Sequence, residues 1–322
     1  MILPTSYGAA MLLGITGLLL LGLWAATFKV AGRWRFELYY LDFSAGALVT
    51  SVLLGLTLGS FGQELSLLDN LDLAGKRQLV FAIAAGAVFN LGNMLLIAAQ
   101  SVSGLAVSSA STWGIALAVG SIWKFSAIPP GNAGLWFGVA ALGIGAVVCA
   151  AWGQKASKAK KPSKAIVLAA IGGVAIGSFA PLVDRTRVAE IGLGPYALLL
   201  GMSIGIIVST FMYSLYFVNL PVEGQAVGFQ SYVSGTRRQH LLGIFGGAIW
   251  VMGALCVSLA AATPVRENPG AALNHVFGSG GAVVAILCGL TIWKEGARAE
   301  TPFWLGCVLY TAAVLLGAWA LR

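Results

Sequence analysis

Apolar residues along this chain gather in ten blocks, each close to the roughly 20 residues an α-helix needs to cross a bilayer core. In the first half they run over Tyr7–Phe28, Leu38–Ser60, Leu79–Gln100, Gly104–Trp123 and Leu135–Trp152. In the second half they run over Ala165–Val183, Tyr196–Val218, Leu241–Ala262, Ala271–Trp293 and Phe303–Leu321. The prolines agree with this division. Nine of the ten fall between blocks or at their edges, where a residue without a backbone N–H does least harm, and only Pro181 lies within one. The pattern predicts an all-α membrane protein with ten transmembrane helices. The first block is expected to be retained rather than cleaved, because its leader carries no positive charge and no A-x-A-like site follows it.

Composition narrows the function classes. Of 322 residues 58% are hydrophobic and only 9% charged, with a mean hydropathy of +0.89, whereas soluble domains carry about a quarter charged residues. That excludes a nuclease, a soluble dehydrogenase and a secreted disulfide scaffold, and leaves transporter, channel and membrane enzyme. The four cysteines all sit inside apolar blocks without C-x-x-C spacing, so they read as small core residues. No cluster of acids, histidines or metal ligands points to an enzyme, and no cofactor or metal is expected.

The net charge of +8 would suggest nucleic acid in a soluble protein, but here the cations lie in short segments between blocks. There they set orientation and meet anionic lipid headgroups, so nucleic acid is not an expected partner. One set of loops holds Lys29, Arg33, Arg35, Lys155, Lys158, Lys160, Lys161, Lys164, Arg237, Arg238, Lys294 and Arg298. The other side, with both termini, holds Lys76, Arg77, Lys124, Arg185, Arg187, Arg266 and Arg322. The richer side is expected to be cytoplasmic, which places both termini outside a plasma membrane, the inner membrane if the source is bacterial.

The two halves resemble one another. Gly17 to Trp24 aligns with Gly172 to Phe179, and Gly86 to Gly92 with Gly247 to Gly253. Ile122-Trp123-Lys124 matches Ile292-Trp293-Lys294, and Trp136-Phe137-Gly138 matches Trp304-Leu305-Gly306. A repeat of five spans crosses the membrane an odd number of times, so its second copy is inverted. The expected organisation is residues 1–152 as one five-helix repeat, 153–164 as a short basic linker and 165–322 as the inverted repeat. Inverted repeats are a secondary-transporter architecture, with the substrate held near the midplane between the halves.

Polar residues inside the blocks are few, and burying them is costly. Asp42 has open readings: a proton-carrying carboxylate, or a structural group, either the N-cap of the second span or a partner of Lys29 or Arg33 near the interface. Asn90 and Asn93 share a face with Gly86, Ile97 and Gln100, where carboxamides suit a neutral ligand with amide or ureido groups or glue helices together. The fourth block offers Ser109 and Thr112. The ninth offers Asn274 and His275, the histidine being a candidate proton relay. Trp24 and Phe179 hold matching positions and read either as two faces of a sandwich around a flat ligand or as lipid-facing or interfacial aromatics.

Tyr40-Leu41-Asp42-Phe43-Ser44, Phe81 to Gly86 with Leu91-Gly92-Asn93, Gly104-Leu105-Ala106-Val107 and Ile292-Trp293-Lys294-Glu295 resemble the ureide permease family of the drug/metabolite transporter superfamily. The resemblance implies proton-coupled import of heterocyclic nitrogen compounds such as allantoin, uracil and xanthine. Plant members carry a long central loop with a phosphate-loop-like motif; here that region is only Gly153 to Lys164, without the motif. The alternatives are a sugar transporter of the glucose/ribose or rhamnose type in the same superfamily, and an uncoupled facilitator. In all of these the partners are a small molecule, the lipid bilayer and, for the leading reading, protons, whose gradient supplies the driving force.

Overall fold

A computed structural model describes residues 1–62, 64–127, 133–156, 162–188, 191–228, 230–263, 270–295, 297 and 300–321. Lys158, Lys160, Lys161, Arg266, Arg298 and Arg322 of the orientation argument lie outside the described residues, as do residues 157–161 of the linker. The chain forms α1 (Tyr7–Val30), α2 (Phe36–Leu56), α3 (Leu67–Leu73), α4 (Lys76–Ser103), α5 (Leu105–Ala127) and α6 (Ala133–Ala156). It continues with α7 (Pro162–Thr186), α8 (Pro195–Asn219), α9 (Gln230–Val233), α10 (Arg237–Ala262), α11 (Gly270–Thr291) and α12 (Glu300–Ala320). Ten of these are long and apolar enough to cross a membrane, and among the described residues there is no strand. The protein is an all-α, ten-span membrane protein.

Local signals set the helix ends. The Ser6 hydroxyl caps α1 by accepting from the Ala9 N–H at 3.2 Å, and Thr236 with Gln239 forms a capping box on α10. Pro195 opens α8, where its missing N–H costs nothing. Gly104, at φ +95°, separates α4 from α5, a conformation that disfavours any residue with a Cβ. The predicted fourth block began at that glycine. α7 runs on through Pro181 to Thr186.

The spans assemble as two groups: α1, α2, α10 and α11 pack together, and so do α4, α5, α7 and α8. The pair α6 and α12 flanks them, α6 against α5 and α12 against α11, while α2 meets α8 and α5 meets α11 between the groups. Each of these pairings becomes another member of the same set, or itself, when every span is exchanged for the one five later.

The close contacts obey the same exchange. A Cβ on Gly17 would lie 2.8 Å from the Gly253 carbonyl oxygen, and one on Gly92 would lie 2.8 Å from that of Gly172. Gly22 faces the Gly281 carbonyl as Gly177 faces that of Ala116. Gly86 meets the Met202 carbonyl as Gly247 meets that of Phe43, and Gly205 meets Ile83 as Gly46 meets Ile244. Small residues at these crossings let helix backbones touch, which is how apolar helices associate when lipid is as apolar as their side chains. The alignment of Gly17 with Gly172 and of Gly86 with Gly247 agrees with this packing. The Ile-Trp-Lys match does not. Packing pairs Ala116 with Gly281, an offset of 165, which places Trp123 opposite Cys288 rather than Trp293. Trp123 is still inside α5, whereas Trp293 lies past the end of α11.

Candidate functional site

Two polar arrangements stand out, one towards each face of the bundle. A cavity of about 500 Å³ opens on the face opposite the basic loops, between the C-terminal halves of α5 and α7 and the N-terminal halves of α6 and α11. Its volume falls within the range of small-molecule sites. Trp113, Trp136 and Phe179 wall it, and His275 and Ser279 reach it from α11. Trp136 meets His275 edge-on, with ring centroids 6.3 Å apart and planes at 87°. The His275 ring hydrogen-bonds the Val314 backbone, and Gly317 leaves room for it where a Cβ would collide with Nε2.

The Nε2 atom of His275 and the indole Nε1 of Trp136 are buried and without hydrogen-bond partners. Buried polar atoms in that state call for a ligand or water. The charged lining residues Lys124, Asp184 and Arg185 stand at the mouth, near the ends of α5 and α7. Asp184 pairs there with Lys124 at 3.4 Å.

The second arrangement is centred on Asp42, in the second turn of α2 and 3% exposed. Tyr232 of α9 donates its hydroxyl to Oδ1 at 2.6 Å, and Nδ1 of His240, in the first turn of α10, lies 2.9 Å from Oδ2. Tyr232 and Trp34 both set ring edges against His240, at centroid distances of 4.7 and 5.4 Å. Gly243 makes the approach possible, since a Cβ there would lie 2.5 Å from that of Asp42. The Tyr232 hydroxyl is raised above the usual phenol range, first by burial and then by its bond to Asp42, so it stays protonated and keeps donating.

Neither structural alternative for Asp42 holds. The N-cap position of α2 is Arg35, which pairs with Glu37, and Lys29 pairs with Glu295. Trp24 and Phe179 do not form a sandwich. Trp24 touches Phe43, Phe179 touches Phe89, and Trp250 joins Phe43 to Phe89, so three rings fill the space between them. Phe179 lines the cavity; Trp24, 3% exposed, is buried in the core.

Asn90 is committed to α8, its amide donating to the Ile206 carbonyl and to the Ser209 and Thr210 hydroxyls at 3.1, 2.9 and 2.9 Å. That is the interhelical-glue reading. Asn93 is different: it is 1% exposed and both its amide atoms lack partners, as does the Thr112 hydroxyl. Asn274 is exposed near the start of α11 and does not line the cavity. His275 and Asp42, paired by sequence reasoning as proton carriers, lie towards opposite faces.

Sequence reasoning did not single out Trp113, Trp136, Tyr232 and His240, which the structure brings to these two arrangements. His240 is one of only two histidines, which was a usable signal, but it falls one position before the predicted eighth block and reads as loop. Trp136 is the second residue of the fifth block and reads as an interfacial anchor.

No protein-family model matches the chain, and no curated protein sequence is significantly similar to it. Among solved structures, a crystal structure described only as that of a protein aligns over 98% of this chain and 99% of its own, with a TM-score of 0.54 and 17% identity. At that identity the likeness concerns the fold alone.

Proposed function

We propose that this protein is a secondary transporter that moves a neutral, planar nitrogen heterocycle, a nucleobase such as uracil or xanthine or a ureide such as allantoin, by alternating access. The supporting observation is the aromatic cavity, walled by Trp113, Trp136 and Phe179 and reached by His275 and Ser279, with the His275 Nε2 and Trp136 Nε1 atoms of its lining residues buried and without partners. Its inner walls carry rings rather than carboxylates, which suits an uncharged flat solute. The exchangeable helix pairings and the mirrored glycine contacts support two inverted five-helix repeats, in which the groups α1, α2, α10, α11 and α4, α5, α7, α8 rock against each other. Asp42, with His240 and Tyr232, supplies the proton site. The bundle carries solute and protons rather than breaking bonds, and it sits in a plasma membrane with the basic loops inside.

Uptake of radiolabelled uracil into cells expressing the chain, with and without a protonophore, tests this reading. Saturable uptake that the protonophore abolishes and xanthine or allantoin inhibits is the expected result. Competition by glucose instead would favour a sugar porter of the same fold, and uptake indifferent to the protonophore would favour a facilitator. Trp136→Ala is expected to raise KM roughly 5- to 150-fold, from the loss of about 1–3 kcal/mol of stacking, with maximal rate little changed. An unchanged KM would remove the cavity as the binding site.

A further inference from the structure

The same junction of three helix ends occurs once on each face of the bundle, and the two differ in depth. A cavity of about 490 Å³ on the basic face reaches Lys29, Gln100 and Gly104 but not Trp24, Ala25, Ala26 or Ala285, the counterparts of residues that line the cavity on the other face. On the face opposite the basic loops, the ends of α7 and α5 and the start of α11 surround the cavity. The elements that exchange with them on the basic face are the ends of α1 and α11 and the start of α5. There Glu295, in the turn after α11, closes the junction. Its carboxylate accepts the Leu105 N–H at 2.9 Å and the Ala106 N–H at 2.7 Å, and it is ion-paired with Lys29 at the end of α1. The carboxylate therefore meets the positive end of α5 and a cation together.

Gly104 and Gly289 keep the space for it, since a Cβ on either would lie 2.7–2.8 Å from the Glu295 carboxyl group. Lys29 also lies 5.2 Å from the Trp293 ring centroid. Close by, Gln100 of α4 donates to the Ala25 carbonyl of α1 at 3.1 Å. Both links tie one helix group to the other, and both lie on the basic face.

The residues behind each junction differ as the closure requires. Phe179, Ala180 and Pro181 line the open cavity, whereas their counterparts Trp24, Ala25 and Ala26 are buried at 3%, 3% and 8% exposure. Gly120 lines the cavity, whereas its counterpart Ala285 is 4% exposed.

We infer that Glu295 is the gate residue of the basic face: bound to the start of α5 and to Lys29 it holds that face shut, and its release lets the bundle pass to the mirror conformer with the cavity on the other side. Lys29 and Gln100 are positioning residues for the closed state. This rests on the alternating-access reading proposed above, and it is tested without any substrate.

Single cysteines at the mirror positions 120 and 285 report which face is open. In a background with Cys149, Cys256, Cys288 and Cys307 replaced by serine, Gly120→Cys and Ala285→Cys are made separately, and maleimide labelling rates of the purified chain are measured. With Glu295 intact, the cysteine at 120 is expected to label faster. Adding Glu295→Gln, which keeps the shape and removes the charge, is expected to raise labelling at 285 roughly tenfold and to lower it at 120, as a population shift requires. Glu295→Ala, which removes the acceptor altogether, should shift both rates further in the same directions. Faster labelling at both positions would mean general loosening, and unchanged rates would mean no gate; either overturns the inference. Opposite shifts in a chain that takes up none of the tested heterocycles would leave the gate standing and overturn the heterocycle reading alone.

Discussion

Gly247→Ala is expected to lower stability by about 1–3 kcal/mol or more, whereas Gly278→Ala, the same change on another span, is expected to be neutral or slightly stabilising. At Gly247 the added methyl group meets the Phe43 carbonyl oxygen and lies 2.6 Å from the Ala47 nitrogen, both backbone atoms of α2 that cannot rotate away. Relief requires α10 and α2 to move apart, which breaks contact along the crossing. At Gly278 nothing lies within 4 Å of the new methyl, and alanine is the better helix former by about 1 kcal/mol. Thermal unfolding of the two variants in detergent, followed by gel filtration, makes the comparison. Equal midpoints would show that the glycine crossings do not hold the bundle together. Gly86→Ala, which meets the Met202 carbonyl in the mirrored crossing of α4 and α8, should behave as Gly247→Ala does.

The second large effect is expected at Asp42. Asp42→Ala removes the buried partner of both Tyr232 and His240, themselves partly buried, at a cost of about 1–3 kcal/mol. Because Tyr232 is the side chain that joins α9 to this carboxylate, faster hydrogen exchange over residues 230–235 should accompany the loss. Asp42→Asn keeps the shape and one acceptor oxygen, so it should destabilise less while removing the titratable group. On the proposed coupling, that variant still binds substrate but no longer accumulates it uphill. Uphill accumulation by folded Asp42→Asn would exclude Asp42 as the proton site. A double-mutant cycle with His240→Gln should give a coupling of about 0.5–3 kcal/mol if the two side chains act as a unit. Additive losses would mean that they do not.

These effects depend on residues that the sequence displayed unequally. The glycine register could be read, because small residues recurring at fixed offsets survive as a pattern even where the surrounding side chains have diverged. Asp42 could be flagged, since a carboxylate in an apolar block is rare and costly. Its partners could not. Tyr232 and His240 are 190 and 198 residues away in sequence and lie at or before a predicted helix start. Asn90 and Asn93 were indistinguishable as two amides on one helical face. Only the approach of α8 commits the first to Ser209 and Thr210 and leaves the second without partners.

The sequence by itself determined the number of spans, most of their limits and the side on which the basic loops gather, because span length and helix breaks are local properties of the chain. It also indicated that two stretches five spans apart share a spacing of small residues. The tertiary structure alone decided which polar groups meet and where the aromatic cavity lies. The physical reason is that a membrane helix is apolar around most of its circumference, so periodicity marks no single buried face. Which side of such a helix meets which neighbour is set by where backbones can approach, and only the assembled bundle holds that information.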